Sequence, residues 1–334
     1  MSIADQIRRI KNAKAAIKEA IQNKGVTVSD EAKLDEYPRL IDSIVASESN
    51  NYWPDFFEVR AKGRYSFQQL FYGMDIKESD TRYKELIENL DMSKATWFSE
   101  TFMYFCNPDH NSIARDGSLK ELDLTKWNVS KVMNFTSMFE NCLLDYLDIS
   151  GWDFSSASTN LQILYGTQIK EVNMSNCNVS NVTSHYRLCY IASGLITLNI
   201  TGWDTSKVTN MNAMFSGCTK LTTITGELDV SGLTNGFYPS ATNNPFNNCP
   251  SLETLYIKNI YKDISVTNAS KFSIDLGVTK VKDECLVYII DQLPNLADKG
   301  ITNNTAIKLT LPTTNTLTDE QKQVALDKGW IVVN

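Results

Sequence analysis

Seven cysteines and two histidines are the side chains of this 334-residue chain whose chemistry best suits metal binding or nucleophilic attack. No two cysteines form a C-x-x-C pair, and their number is odd, so the spacing fits neither a zinc site nor a closed set of disulfides. The sequence contains no G-x-S-x-G elbow, no phosphate-binding glycine loop and no H-E-x-x-H motif. We therefore predict no catalytic residue, no metal site and no cofactor.

A repeated element must position these residues, because the middle of the chain has a nearly constant period. Trp152 lies 25 residues after Trp127, Cys177 lies 25 residues after Trp152, and Trp203 lies 26 residues after Cys177. A period of this length is typical of proteins built from stacked units, each of which completes its core only against its neighbours. The four anchor residues are predicted to form a structural ladder in that core.

Each repeat has two halves with different periods. The first half reads L-x-x-L-x-L and predicts a short strand with one buried face. The second half opens on a serine, which is a good helix N-cap, and continues with apolar residues at helical spacing, so it predicts a short helix. The serines are Ser130, Ser155, Ser180 and Ser206, and the apolar residues of the last of these helices are Val208, Met211, Met214 and Phe215.

The repeat also explains most of the residues that could do chemistry. Cys177 and Cys189 occupy the positions of Trp203 and Phe215 in the following repeat, which predicts buried, reduced thiols. By the same alignment, a buried side chain is the better reading for His185, and His110 is a loop residue. The residues after the anchors are predicted to form turns, and two of the four are amides, which argues against a calcium ladder. They are Asn128, Asp153, Asn178 and Asp204.

The repeat resembles the bacterial surface-antigen (BspA-like) type of leucine-rich repeat, with the pattern L-D-x-S-x-W-D-x-S-x-V-T-N-M-x-x-M-F-x-x-C. The resemblance is close at 119–142 and 195–218 and looser at 143–193. It implies an α/β solenoid of roughly six or seven units, made of short strands and short helices. Degenerate copies are predicted on both sides: a strand at Ile87, Leu90 and Met92, the tail of a half-unit at Leu70 and Phe71, and further strands at Leu221–Val230 and Leu252–Ile257. This type of repeat specifies a fold and leaves the function open.

The N-terminal segment reads as a helix, a loop and a second helix, with a heptad seam in the first helix. Isoleucine at both core positions of a heptad favours three strands over two, which predicts a homotrimer with one lysine in the seam. The alternative is an intramolecular hairpin packed on Leu40, Ile41 and Ile44, and the sequence leaves both open. The seam residues are Ile3, Ile7, Ile10, Lys14, Ile17 and Ile21.

This helix–loop–helix is similar to a module near the N-terminus of tail and fibre proteins of bacteriophages and prophages from gut bacteria. The resemblance implies attachment to other virion proteins, while the repeats recognise a glycan or protein on the host surface. The expected location is the virion, assembled in the bacterial cytoplasm. A second hypothesis is a bacterial cell-surface adhesin, against which the lack of a secretion signal counts. Glycan hydrolysis would need a distinguished pair of carboxylates, and the sequence offers none.

Composition and segment boundaries complete the sequence-based prediction. A formal net charge of −7 without a lysine or arginine cluster argues against nucleic acid as a partner, and no apolar run is long enough for membrane insertion. Two turn-rich insertions, 107–117 and 231–248, are predicted to project from the repeats. The expected segments are 1–45 for attachment, 46–86 for a linker and an aromatic cap, 87–275 for the repeats and 276–334 for a C-terminal cap. Within that cap, helices are predicted at 281–293 and after a capping box formed by Thr318 and Gln321, and strands are predicted at 308–311 and 330–333.

Overall fold

The computed structural model describes residues 67–334, except for residues 80, 108–116, 158–160, 234–236, 238–243 and 262–271. Before residue 67 it describes only the helical residues Lys18, Glu19 and Gln22 and a short antiparallel pair, β1 (Arg60–Ala61) and β2 (Arg64–Tyr65). The chain divides into two compact units, Met1–Glu58 and Val59–Asn334. The isoleucine seam, the second N-terminal helix, His110 and the interior of the first insertion lie outside the described residues.

A six-stranded parallel sheet forms the centre of the second unit, and its strands pair in the order in which they occur along the chain. The predicted strands of the four clear repeats and of the two degenerate copies that follow them are confirmed. The sheet consists of β3 (Glu121–Asp123), β4 (Tyr146–Asp148), β5 (Glu171–Asn173), β6 (Thr197–Asn199), β7 (Thr223–Asp229) and β8 (Thr254–Lys258).

The middle apolar residues of the L-x-x-L-x-L motifs form one continuous row across the sheet. These side chains are buried, whereas the residues on either side of them are exposed or half-buried. Fully burying an aliphatic side chain contributes roughly 1.5–3 kcal/mol, so the row is a major source of stability. Leu122 pairs with Leu147, Leu147 with Val172, Val172 with Leu198, and Leu198 with Ile224.

The second half of each repeat is not helical, which corrects the prediction of short helices. It consists of consecutive turns whose backbone N–H groups donate alternately to a carbonyl three residues earlier and to a carbonyl of the next repeat. We call this stack of segments the turn ladder. Its bonds between repeats include Phe71 N to Thr101 O (2.8 Å), Phe102 N to Met138 O (2.8 Å), Phe139 N to Ile163 O (3.2 Å), Leu164 N to Leu188 O (3.1 Å), Cys189 N to Met214 O (2.8 Å) and Phe215 N to Pro245 O (2.9 Å).

Spacing explains why turns replace helices. Neighbouring strands of a sheet lie about 4.8 Å apart, whereas an α-helix with its side chains is about 10 Å across. Repeats that stack at strand spacing on one side cannot carry helices at the same spacing on the other. The turn ladder avoids this conflict and still buries the apolar positions, since Val208, Met211, Met214 and Phe215 are all buried.

Asparagine and aspartate side chains form the corners of each repeat. The predicted turn formers accept the backbone N–H of the serine two residues later, as in Asp204 Oδ1 with Ser206 N at 3.1 Å. The serines thus complete these turns instead of capping helices. Two further corner rows were not predicted: Asp123, Asp148, Asn173 and Asn199 are the last residues of their strands, and Asn134 and Asn210 begin segments of the turn ladder.

The residues before β3 depart from the prediction in one respect and match it in another. Ile87 lies near the end of a helix, α1 (Thr81–Glu88), and the predicted strand at Ile87–Met92 is therefore wrong. The helix buries Ile87 and leaves Glu85 exposed. The three-residue spacing from Ile87 to Leu90, which is part of the predicted strand pattern, is also compatible with one face of a helix. Phe71 belongs to a segment of the turn ladder, as predicted for the tail of an earlier half-unit.

The C-terminal part contains the predicted elements and one additional strand. Along the chain, helices α2 (Asp283–Gln292) and α3 (Asp319–Asp327) connect the successive strands of a three-stranded parallel sheet. The predicted capping box is confirmed, because the Thr318 hydroxyl accepts from Gln321 N and the Gln321 side chain accepts from Thr318 N. The sheet consists of β9 (Ile274–Asp275), which was not predicted, β10 (Lys308–Thr310) and β11 (Ile331–Val333). The fold is thus of α/β type, with mostly parallel strands and few, short helices.

We expect Gly194→Ala to destabilise the second unit by roughly 1–3 kcal/mol, as overpacking does. A Cβ atom on Gly194 would lie 2.5 Å from the backbone carbonyl carbon and oxygen of Gln168 in the preceding repeat. Chemical denaturation would measure the change. Gly151→Asn is the control, since Gly151 has φ +75° and open space around it, and asparagine tolerates this conformation. Equal stability of the Gly194→Ala and Gly151→Asn variants would contradict the close contact between Gly194 and the backbone of Gln168.

Candidate functional site

The structure places the four anchor residues in one buried column. The rings of Trp127 and Trp152 stack with their centroids 6.2 Å apart and their planes 7° apart. Each anchor also donates a hydrogen bond to a backbone carbonyl of the preceding segment. These bonds are Trp127 Nε1 to Ile87 O (2.8 Å), Trp152 Nε1 to Leu124 O (2.8 Å), Cys177 Sγ to Ile149 O (3.2 Å) and Trp203 Nε1 to Met174 O (2.6 Å).

All seven cysteines are buried, free thiols. Burial raises the pKa of Cys177 to about 12 and that of Cys189 well above its ordinary value. Because the thiolate is the form that attacks a substrate or binds a metal, thiols in this environment are unreactive. The cysteines therefore serve as small core residues.

We expect a thiol reagent to leave Cys177 and Cys189 unlabelled in the native protein and to label both after unfolding without reductant. The native thiols are buried and protonated, and no disulfide involves them. Peptide mapping by mass spectrometry would measure the labelling of each residue. Rapid labelling of the native protein would place the thiols at the surface, and resistance after unfolding would indicate a disulfide.

His185 is fully buried beside Trp203, with the two ring centroids 5.4 Å apart. Neither imidazole nitrogen has a hydrogen-bond partner in the structure. Burial lowers the pKa of His185 to about 4, so the ring is neutral at physiological pH. An imidazole enclosed in this way cannot reach a substrate, as predicted from its alignment with Met211.

Carboxylates at the corners of the repeats are occupied by hydrogen bonds within and between repeats. Asp153 Oδ1 accepts from Asn178 Nδ2 at 2.8 Å, and Asp148 Oδ2 accepts from Asn173 Nδ2 at 3.0 Å. Within the part of the chain that the structure describes, no group of three or more histidine, cysteine, aspartate or glutamate residues could hold a metal ion.

The surface beside the six-stranded sheet carries charges that pair with one another. Exposed pairs of this kind each contribute about 0–1 kcal/mol, so their main effect is to neutralise this surface locally. The pairs are Lys120–Glu78 (3.5 Å), Lys170–Asp145 (2.6 Å), Lys258–Glu227 (2.9 Å) and Lys282–Glu253 (3.5 Å).

A different surface lies on the turn ladder, where aromatic side chains surround an arginine. The Arg187 guanidinium carbon lies 4.6 Å from the ring centroid of Tyr190 and 4.9 Å from that of Tyr186. The ring of Tyr165, from the preceding repeat, lies 5.8 Å from that of Tyr190. Next to them, Ile191 is 42% exposed. We call these five residues the Tyr–Arg patch.

Sequence reasoning missed the Tyr–Arg patch, although the repeat alignment contained a signal. The turn ladder aligns Ile191 with Gly166 in the preceding repeat and with Gly217 in the following one. Ile191 is a branched apolar residue at a position where both neighbouring repeats have glycine, which is unexpected because the other apolar positions of the repeat are buried. The signal is visible only when the second half of the repeat is aligned as turns.

The fold and surfaces define a repeat protein of α/β type in which parallel repeats stack in register. The chain belongs to the family described as "Mycoplasma protein of unknown function, DUF285", which matches residues 66–196 and 191–283 and is a BspA-like repeat family. The match confirms the predicted BspA-like resemblance and does not include residues 1–65. No curated protein and no solved structure matches the chain. Among the described helices, none has the length and apolar character needed to span a membrane.

Proposed function

We propose that the repeats form a leucine-rich-repeat solenoid and that the protein is a non-enzymatic structural and binding component of a phage particle, such as a tail-fibre or head-fibre appendage. The solenoid would recognise a glycan or protein on the host surface. The observation that carries this proposal is the in-register stacking, which encloses the thiols and His185 and leaves rows of exposed and half-buried side chains on successive strands. Such rows suit an extended binding surface.

Attachment to the virion is assigned to residues 1–45. Support comes from the sequence resemblance of this segment to a phage module and from its position within a separate compact unit, Met1–Glu58. An apolar seam of isoleucines requires a partner surface, which copies of the same helix in a homotrimer or another virion protein would supply. Lys14 in the seam would oppose assemblies of the wrong register.

A bacterial cell-surface adhesin is the second candidate, and its motivation is the resemblance of the repeat to a bacterial surface-antigen type. The family description refers to Mycoplasma proteins, and the repeat is of a bacterial surface-antigen type. In this case the same repeats would bind a molecule to which the bacterium adheres, and residues 1–45 would attach the protein to a structure other than a virion.

Localisation of the full-length protein distinguishes the two candidates. We expect mass spectrometry of purified phage particles to detect the protein and immunogold electron microscopy to place it on an appendage. Deletion of residues 1–45 should abolish incorporation while the remaining chain still binds host cells. Labelling confined to the bacterial envelope would overturn the phage proposal in favour of the adhesin, and incorporation of the truncated chain would refute the role of residues 1–45.

A further inference from the structure

We propose that the Tyr–Arg patch is the ligand-contact site of the repeats and that its ligand is an acidic polysaccharide with carboxylate groups. This inference rests on the proposed function in host-surface recognition and specifies both the site and the chemistry. The patch combines three features at one place: a strained and exposed apolar side chain, an arginine without an acidic partner among the described residues, and aromatic rings from two successive repeats.

The strain lies at Ile191, which has φ +54°. A β-branched residue with this backbone conformation is a conformational outlier, because its side chain crowds the backbone. Of the seven residues aligned at this position of the turn ladder, five are glycine or asparagine, the residues that adopt positive φ most readily. The seven are Gly73, Tyr104, Asn141, Gly166, Ile191, Gly217 and Asn248, and all have positive φ.

The surroundings of Ile191 provide little compensation for this strain. A Cβ atom on Gly217 would lie 3.1 Å from Ile191 Cγ2, and one on Gly166 would lie 4.0 Å from Ile191 Cγ1. The isoleucine therefore has glycine backbone on both sides, and 42% of it is exposed. Strained backbone tends to occur at functional sites, where a gain in function offsets the loss of stability. Contact with a ligand would provide that gain.

Arg187 supplies the charge of the site. Within the described part of the chain, no carboxylate pairs with its guanidinium and no hydrogen bond is donated by its buried Nε atom. Lysines beside the sheet, such as Lys170, are paired with carboxylates instead. Tyr186 and Tyr190 hold the guanidinium by cation–π contacts. A planar guanidinium held in place is suited to bind a carboxylate through two parallel hydrogen bonds.

The shape of the patch favours a sugar chain over a peptide. Protein partners usually insert an anchor side chain into a pocket, whereas the glycines beside Ile191 provide a shallow surface. Tyrosine rings offer an apolar face together with a polar hydroxyl, which suits a sugar with its C–H face and hydroxyl groups. Glu140 Cγ would lie 3.4 Å from a Cβ atom on Gly166, so an acidic ligand should direct its carboxylate towards Arg187 and away from Glu140.

The test compares binding of the full-length protein to alginate (a polyuronate), dextran (a neutral glycan) and polyglutamate (an acidic peptide). We expect biolayer interferometry to detect binding to alginate and not to the other two. Arg187→Gln should weaken alginate binding ~10-fold or more, as expected for loss of a charge-assisted pair. Glutamine suits this position, since Gln69 and Gln162 occupy it in other repeats. Lys207→Gln, which removes an exposed charge at another corner, is the matched control and should change nothing.

Ile191→Asn provides a second readout with two opposite effects. Relief of the strain should raise the melting temperature by roughly 2–4 °C, while loss of the apolar contact should weaken alginate binding. Absence of alginate binding, equal binding of dextran or polyglutamate, or unchanged affinity of Arg187→Gln would each overturn the assignment. Such results would leave localisation on particles unaffected. A protein confined to the bacterial envelope that binds alginate through Arg187 would retain the site and lose the phage function.

Discussion

Trp152→Ala is expected to lower the free energy of unfolding by ~3–5 kcal/mol, the usual range for truncation of a buried aromatic side chain. Trp152 is 1% exposed, stacks on Trp127 and lies 6.0 Å from Phe154 by ring centroids. The alanine variant loses these contacts and opens a cavity between two repeats. It also leaves the Leu124 carbonyl without the indole donor. Urea denaturation followed by circular dichroism would measure the change.

Trp152→Phe separates packing from hydrogen bonding. Phenylalanine keeps much of the ring contact but cannot donate to Leu124 O, so its cost should be roughly 1–3 kcal/mol from the unsatisfied carbonyl and a smaller cavity. We therefore expect the alanine variant to be the least stable, the phenylalanine variant to be intermediate and the wild-type protein to be the most stable. An alanine variant as stable as wild type would place the indole outside the core and would refute the structural ladder of the four anchor residues.

His185→Met is expected to stabilise the protein and to flatten its stability profile between pH 4 and 6.5. Burial lowers the pKa of His185 from 6.5 to about 4, so the unfolded chain binds more protons than the folded one in this interval. Acidification from pH 6.5 therefore destabilises the native protein, by up to ~3 kcal/mol below the folded pKa. Above pH 6.5 both states are neutral and the effect of protonation vanishes.

Methionine is the matched replacement, because Met211 occupies the equivalent position in the next repeat. It also removes two buried ring nitrogens that lack hydrogen-bond partners, and the variant should for that reason be more stable at neutral pH as well. Carboxylates also contribute to acid denaturation, since hydrogen bonds from Ser206 lower the pKa of Asp204. The difference between the profiles of wild type and variant isolates His185. Parallel profiles would show that the imidazole is solvated.

Sequence alone determined the period, the strands of the six-stranded sheet and the composition of the core. Leu122, Leu147 and Leu198 had to share a face, because a strand exposes alternate residues and each repeat can bury its leucine only against its neighbours. The capping box at Thr318 was equally readable, since it depends on residues three positions apart. These features follow from local spacing, and they are correct for this reason.

Tertiary structure decided the features that depend on the distance between repeats. The apolar spacing of Val208, Met211 and Met214 suits a helix and a series of turns alike, and only stacking at strand spacing excludes the helix. The Tyr–Arg patch likewise combines Tyr165 of one repeat with Arg187 of the next. Residues about 25 positions apart become neighbours only when the repeats stack in register, which no single repeat determines.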